Sequence, residues 1–228
     1  MENEEQNSLK AKNRLYLLAE FIILFVIAPG ILYFRISLPV LPVLWIFATF
    51  CLIILMKDPE FDRANLWRAS GLANGGKTML IQYGASAFAL FVLVYFLAPE
   101  LLFSLMKQKP LLWLIVMFAY PLLSVYPQEL VYRTFFFHRY HSLFPNRWLF
   151  ISLNALVFGY MHIIFHNWVA VGLTIIGGML FAISYQSTRS TLLVFVEHSL
   201  YGCFLFTVGL GQFFYSGTMA TVSQGLKM

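Results

Sequence analysis

The chain has 228 residues, 60% of them hydrophobic and 11% charged, with 15 Lys and Arg against 10 Asp and Glu. Soluble domains carry about 25% charged residues, so these proportions exclude an ordinary globule and make lipid the solvent for most of the surface. The formal net charge of +5 then reads as membrane topology and contact with anionic headgroups, and no nucleic-acid partner is expected.

Long unbroken apolar runs argue against a barrel of alternating ten-residue strands. They predict an all-α fold, a polytopic transmembrane bundle of seven to eight helices. Residues 1–14 read as a cytoplasmic N-terminal segment, polar and mixed in charge, and residues 15–228 as a single integral-membrane domain. The first run is too long for a signal-peptide core and has no small-residue cleavage motif, so it reads as a retained span.

In chain order the spans fall near 15–34, 37–56, 79–98, 111–126, 148–165, 168–186 and 191–213. The segment 128–140 either continues the fourth span or forms a separate amphipathic helix. Pro39, Pro42, Pro121 and Pro127 mark span ends or kinks, because proline removes a backbone donor. Lys10, Lys12, Arg14, Lys57, Arg63, Arg68, Lys77, Arg133, Arg139, Arg147 and Arg189 fall on one side of this plan. Arg35, Lys107, Lys109 and Lys227 fall on the other. The asymmetry predicts a cytoplasmic N-terminus, and seven spans would put the tail after Tyr215 outside. The five tryptophans read as interfacial anchors. Gly177-Gly178 and the pair Gly209 and Gly211 read as sites of close helix packing. Cys51 and Cys203 read as small buried hydrophobes.

Ionisable residues inside these spans are the best clue to function, since a charge at the bilayer centre costs about 2.5–3.5 kcal/mol even on lenient insertion scales. Glu129 and Arg133 stand at i, i+4 and share a helix face. They form either a plain internal ion pair or a carboxylate held charged and oriented to take a proton from water. His162 follows Phe158 by one turn and precedes His166 by another; two histidines so spaced can share a metal, although no glutamate lies between them. His198 follows Glu197, whose simplest role is that of a snorkelling or interhelical partner. His138 and His141 flank Arg139 in a basic, aromatic stretch of interfacial character.

Glu-x-x-x-Arg closing one span, Phe-x-x-x-His in the next and a later His in an apolar helix resemble, in that order, the CPBP family. These are the type II CAAX prenyl endopeptidases and their bacteriocin-processing relatives, and the resemblance covers about residues 111–205. It implies an intramembrane endopeptidase in which Glu129, Arg133, His162 and His198 form the catalytic set, supported by Gln128, Phe158 and Gly202. A carboxylate and His162 would orient and deprotonate water, with His198 stabilising the oxyanion. The family's first motif begins Glu-Glu, and its first glutamate activates the water; that position here is Gln128, and the second is Glu129. The Asn or Asp that ends its third motif is here Gly202. Either Glu129 takes the base role or the chain is a catalytically silent member that binds a membrane partner; a small proton-coupled transporter is a further reading. No cofactor is assigned from the sequence. Zinc held by Glu129, His162 and His198 is the alternative. The expected partners are the lipid bilayer and a membrane-associated peptide or protein substrate, in the plasma (inner) membrane of a bacterium.

Overall fold

The computed structural model describes residues 13–34 and 39–214. Met1 to Lys12, Arg35 and the tail from Tyr215 onward, on which part of the topology expectation rests, lie outside the described residues. Among the described residues every regular element is helical. Six helices are long and apolar enough to cross a membrane: α1 Asn13–Phe34, α2 Val40–Lys57, α3 Ala69–Leu97, α4 Pro110–Tyr140, α5 Arg147–Phe165 and α6 Trp168–Thr188. A shorter apolar helix, α7 Thr191–Thr207, packs against α3, α4 and α6. The polytopic bundle is as expected. Large apolar side chains such as Phe88, Phe96, Phe118 and Trp168 face outward from it, as suits a lipid-facing belt.

Three boundaries differ from the sequence expectation, and at the last of them α7 stops at Thr207 rather than 213, with a separate 3-10 turn over Leu210–Phe214. α3 begins at residue 69 rather than 79. The stretch Gly71 to Gly76 looks like a loop in composition, yet Gly71 and Gly75 are the places where α3 lies against Thr188, Ser190 and Leu193. A Cβ at residue 75 would stand 2.9 Å from Leu193 Cδ2. Ser190 Oγ also donates to the Arg68 carbonyl at 2.8 Å, which fixes the start of α3 on the α6–α7 turn. Here glycine serves helix contact rather than a break.

α4 is one continuous helix of 31 residues, so the segment 128–140 continues the fourth span. Neither Pro121 nor Pro127 ends it. Each proline removes the N–H that would bond the carbonyl four residues back, and a side chain from another helix takes up that carbonyl. Trp45 Nε1 donates to Leu123 O at 2.9 Å, and Cys203 Sγ lies 3.7 Å from Met117 O. Further along, α4 widens into a π turn over Leu130–Phe135, where Asn154 Nδ2 donates to Tyr132 O at 2.6 Å. In lipid no water would meet these groups, so the neighbouring helices must.

One end of the bundle gathers the basic connections. There Arg139 makes a two-pronged pair with Glu20 at 2.9 Å for each bond, Tyr140 donates to the same carboxylate, and His138 meets Asp58 at 2.9 Å. Arg68 pairs with Asp62. The contact with His138 holds the Asp58 carboxyl below the usual carboxylate range. Beneath this polar rim lies an aromatic core of Phe21, Phe25, Phe136, Tyr140 and Phe150, mostly in edge-to-face contact, the arrangement aromatic quadrupoles favour.

Candidate active site

The extension of α4 to Tyr140 sets the depth of the site. Glu129 lies eleven residues back from Tyr140, about 16 Å along the helix, and His162 lies fifteen residues beyond Arg147, about 22 Å. Both helix ends belong to the basic side, so both groups stand deep in the bundle.

Glu129 and Arg133 are fully buried and pair at 3.4 Å between Oε2 and Nε. The other carboxylate oxygen faces α7: Glu129 Oε1 is 2.7 Å from His198 Nδ1. A carboxylate oxygen accepts, so Nδ1 carries the hydrogen and Nε2 is turned the other way. There the ring meets the Tyr120 hydroxyl at 3.1 Å. The four side chains form one chain of contacts, Arg133 to Glu129 to His198 to Tyr120, running from the buried interior to a cavity wall.

The Arg133 guanidinium is held by more than its carboxylate. Its carbon lies 4.4 Å from the Phe158 ring centroid and 5.5 Å from that of Phe181, and Nη2 reaches towards the Gly178 carbonyl at 3.5 Å. Cation–π contact of this kind is worth about 2 kcal/mol or more when desolvated. Phe158 also touches both histidines, with centroids 4.9 Å from His162 and 5.7 Å from His198. The same ring thus borders both imidazoles. Phe181 stacks on His198 at 4.7 Å, which fixes the imidazole plane.

His162 sits where α5 gives way from α-helix to a 3-10 turn, after Met161. Its Nδ1 lies 2.7 Å from the Phe158 carbonyl. A carbonyl can only accept, so Nδ1 is the protonated nitrogen and Nε2 is uncommitted. His166 takes no part: it adopts the left-handed conformation with φ 53° and packs on Tyr33 at 4.4 Å. The change of helix type removes the i, i+4 face that metal sharing with His162 would need. Glu197, also fully buried, makes no close hydrogen bond from either carboxyl oxygen among the described residues; Ser184 of α6 and the Arg133 guanidinium are among the polar groups that bear on it.

A cavity of about 900 Å³ opens beside these groups, walled mainly by aliphatic and aromatic residues of α3 to α7. Gln128, Phe158, His162, His198, Tyr120 and Gly202 line it, whereas Glu129 does not. Gln128 Nε2 donates to Ser124 Oγ at 2.8 Å. Position 128 therefore presents an amide to the cavity, and the carboxylate at 129 stands behind His198. Sequence reasoning missed Tyr120. Its only signal was a tyrosine before Pro121 in an apolar span, and nothing local links it to His198.

The zinc alternative meets a poor donor set. Glu129 Oε1 lies against His198 Nδ1 and Oε2 faces Arg133, and Glu129 does not line the cavity, so the carboxylate is turned towards its two partners rather than towards a metal held there. Among the described residues no group of three His, Cys, Asp or Glu side chains is placed to hold a metal ion.

Fold and site together define a polytopic helical membrane protein with a buried Arg–Glu–His chain leading into an intramembrane cavity. Residues 107–204, under half of the chain, match the family model described as Type II CAAX prenyl endopeptidase Rce1-like. That segment contains Tyr120 and all the motif residues, and over it the chain is similar to that family. No curated protein and no solved structure matches it.

Proposed function

We propose that the protein is an intramembrane endopeptidase that hydrolyses a peptide bond of a membrane-associated protein or peptide with water activated by a carboxylate-backed histidine. The observation that carries this reading is the 2.7 Å contact between the buried Glu129 carboxylate and His198 Nδ1, on a histidine that also lines the cavity. A carboxylate on Nδ1 fixes the tautomer and stabilises the imidazolium formed when Nε2 takes a proton. Glu129 acts through His198 rather than on water directly.

The water gives one proton to His198 Nε2, and its oxygen adds to the scissile carbonyl carbon. His162 Nε2, the uncommitted nitrogen of its ring, accepts a hydrogen bond from the water's other O–H, which stays on the oxygen, and so orients the attacking lone pair. The imidazolium of His198 then returns its proton to the departing amine nitrogen as the C–N bond breaks, leaving an acid and an amine. Arg133 keeps Glu129 charged and in place. This assignment exchanges the parts that the family resemblance gave to the two histidines, because the carboxylate backs His198 and not His162.

A test uses the purified full-length chain in lipid vesicles with a panel of membrane-anchored peptides. Native protein should cleave at least one peptide, and His198→Ala and His162→Ala should each lose about 10²–10⁴-fold in rate. Retained cleavage in His198→Ala would end the reading. A second reading, a silent member that binds a membrane partner, is favoured by one observation: the cavity wall at position 128 carries an amide. It predicts that native protein binds a partner and cleaves nothing.

A further inference from the structure

We propose that the Tyr120 hydroxyl is a catalytic residue that donates a hydrogen bond to the carbonyl oxygen of the bond being cleaved, and that glycine at 202 is what admits it. The proposal rests on the peptidase reading above and names a group that the motif order does not contain.

Three observations converge. Tyr120 Oη lies 3.1 Å from His198 Nε2, so it stands beside the atom that takes the proton. The residue lines the same cavity as both histidines. Its ring packs edge-on against Phe206 with centroids 5.3 Å apart, which limits how the phenol can turn. Since Nδ1 of His198 donates to Glu129, Nε2 of the neutral ring accepts, and the Tyr120 hydroxyl is the donor in the free protein. When water takes the place on Nε2, that O–H is released while still pointing into the cavity. It is then the nearest fixed donor for negative charge growing on a carbonyl oxygen attacked by the same water. A donor preorganised in a water-poor site contributes about 10²–10³ in rate.

Gly202 makes this possible by having no side chain. A Cβ there would stand 2.6 Å from Tyr120 Cζ and 2.5 Å from its hydroxyl oxygen, inside the ring's van der Waals envelope. The tyrosine occupies the space that any side chain at 202 would fill. Residue 202 lies one turn after His198 on α7, so a side chain there would project to the same part of the cavity. A chain can place a polar group at that point from α7 or from α4, but not from both. This one uses α4.

The test combines three variants and two readouts. Tyr120→Phe keeps the ring and removes the hydroxyl; Gly202→Ala keeps the hydroxyl and displaces the ring; the third carries both changes. Cleavage of a membrane-anchored peptide is measured alongside binding of a peptidyl phosphinate, whose tetrahedral oxygens mimic the oxyanion. Tyr120→Phe should lower kcat about 10²–10³-fold with KM nearly unchanged, and weaken phosphinate binding. Gly202→Ala should do the same, and the double variant should be no worse than Tyr120→Phe alone. Cleavage and phosphinate binding at native levels in Tyr120→Phe would overturn the proposal and leave the peptidase reading standing. Native protein that binds the phosphinate through Tyr120 yet cleaves no peptide would overturn the peptidase reading and with it the catalytic role of Tyr120, leaving the hydroxyl as a binding donor only. Native protein that neither binds nor cleaves would end both.

Discussion

Glu129 and His198 meet across 69 residues of chain, with Oε1 and Nδ1 2.7 Å apart and the carboxylate fully enclosed. The pair turns two residues that look like separate motifs into one proton-handling unit, and the first prediction follows from it. Glu129→Gln should leave the fold assembled and cut kcat about 10²–10⁴-fold, because the amide no longer enforces the tautomer of His198. Assays of the variant in vesicles check this; an unchanged rate would remove Glu129 from the mechanism.

Arg133 tests the energetics of the same interior. Its guanidinium is enclosed between Glu129, Phe158 and Phe181. Arg133→Leu leaves a buried carboxylate without its counter-charge, a loss worth about 3–5 kcal/mol. Thermal unfolding in detergent should show a clearly lowered midpoint. A midpoint equal to that of native protein would mean that the pair holds nothing together.

The carbonyls along α4 provide a test that does not touch the cavity. Asn154→Leu removes the donor to Tyr132 O at the π turn. An unsatisfied buried acceptor costs about 1–3 kcal/mol, and the variant should show that loss together with faster hydrogen exchange near residues 130–135. Trp45→Phe, which frees Leu123 O, should show a comparable loss, since lipid offers that carbonyl no substitute donor.

Gln128 separates an active chain from a silent one. Gln128→Glu brings a carboxylate to the cavity next to Glu129, and two neighbouring carboxylates oppose each other's ionisation. If the Glu129–His198 pair is the working base, the rate should change by less than about tenfold, well below the cost of losing a general base. Cleavage by Gln128→Glu alone, with none by native protein, would establish the silent reading.

Orientation is tested with Arg63→Cys, at an exposed site between α2 and α3. The basic connections at that end predict that it faces the cytoplasm. An impermeant thiol reagent should label the variant only after cells are opened. Rapid labelling of intact cells would invert the topology.

The bundle was legible in the sequence because lipid exposure demands long apolar runs, and six of them appear as spanning helices. The start of α3 was not, because Gly71 and Gly75 act through contacts with Thr188, Ser190 and Leu193 that lie over a hundred residues away. The course of α4 was hidden for a similar reason. Prolines normally announce a helix end, and here donors from Trp45 and Cys203, together with a π turn over Pro121–Val125, accommodate Pro127 and Pro121 inside one. Those two residues had read as an interfacial anchor and a small hydrophobe. Within the site, the i, i+4 spacing of Glu129 and Arg133 announced their pairing. The partnership with His198 and Tyr120 depends on helices that only the fold brings side by side.

The cavity walls are mostly apolar, with polar side chains at only a few places such as Ser86, Ser124, Gln128 and Thr174, and on the peptidase reading this would limit what can enter. An extended peptide drawn across Leu90, Ile115, Leu173 and Leu205 would carry its N–H and C=O groups past surfaces that cannot bond them, and each bare group costs several kcal/mol in such surroundings. A coiled segment whose own backbone bonds persist to within a turn of the Tyr120–His198 floor avoids that expense. Local unwinding, confined to the few residues that reach the floor, would then be the step that chooses among substrates, with the ease of fraying a helix counting for more than the identity of the side chains beside the cut.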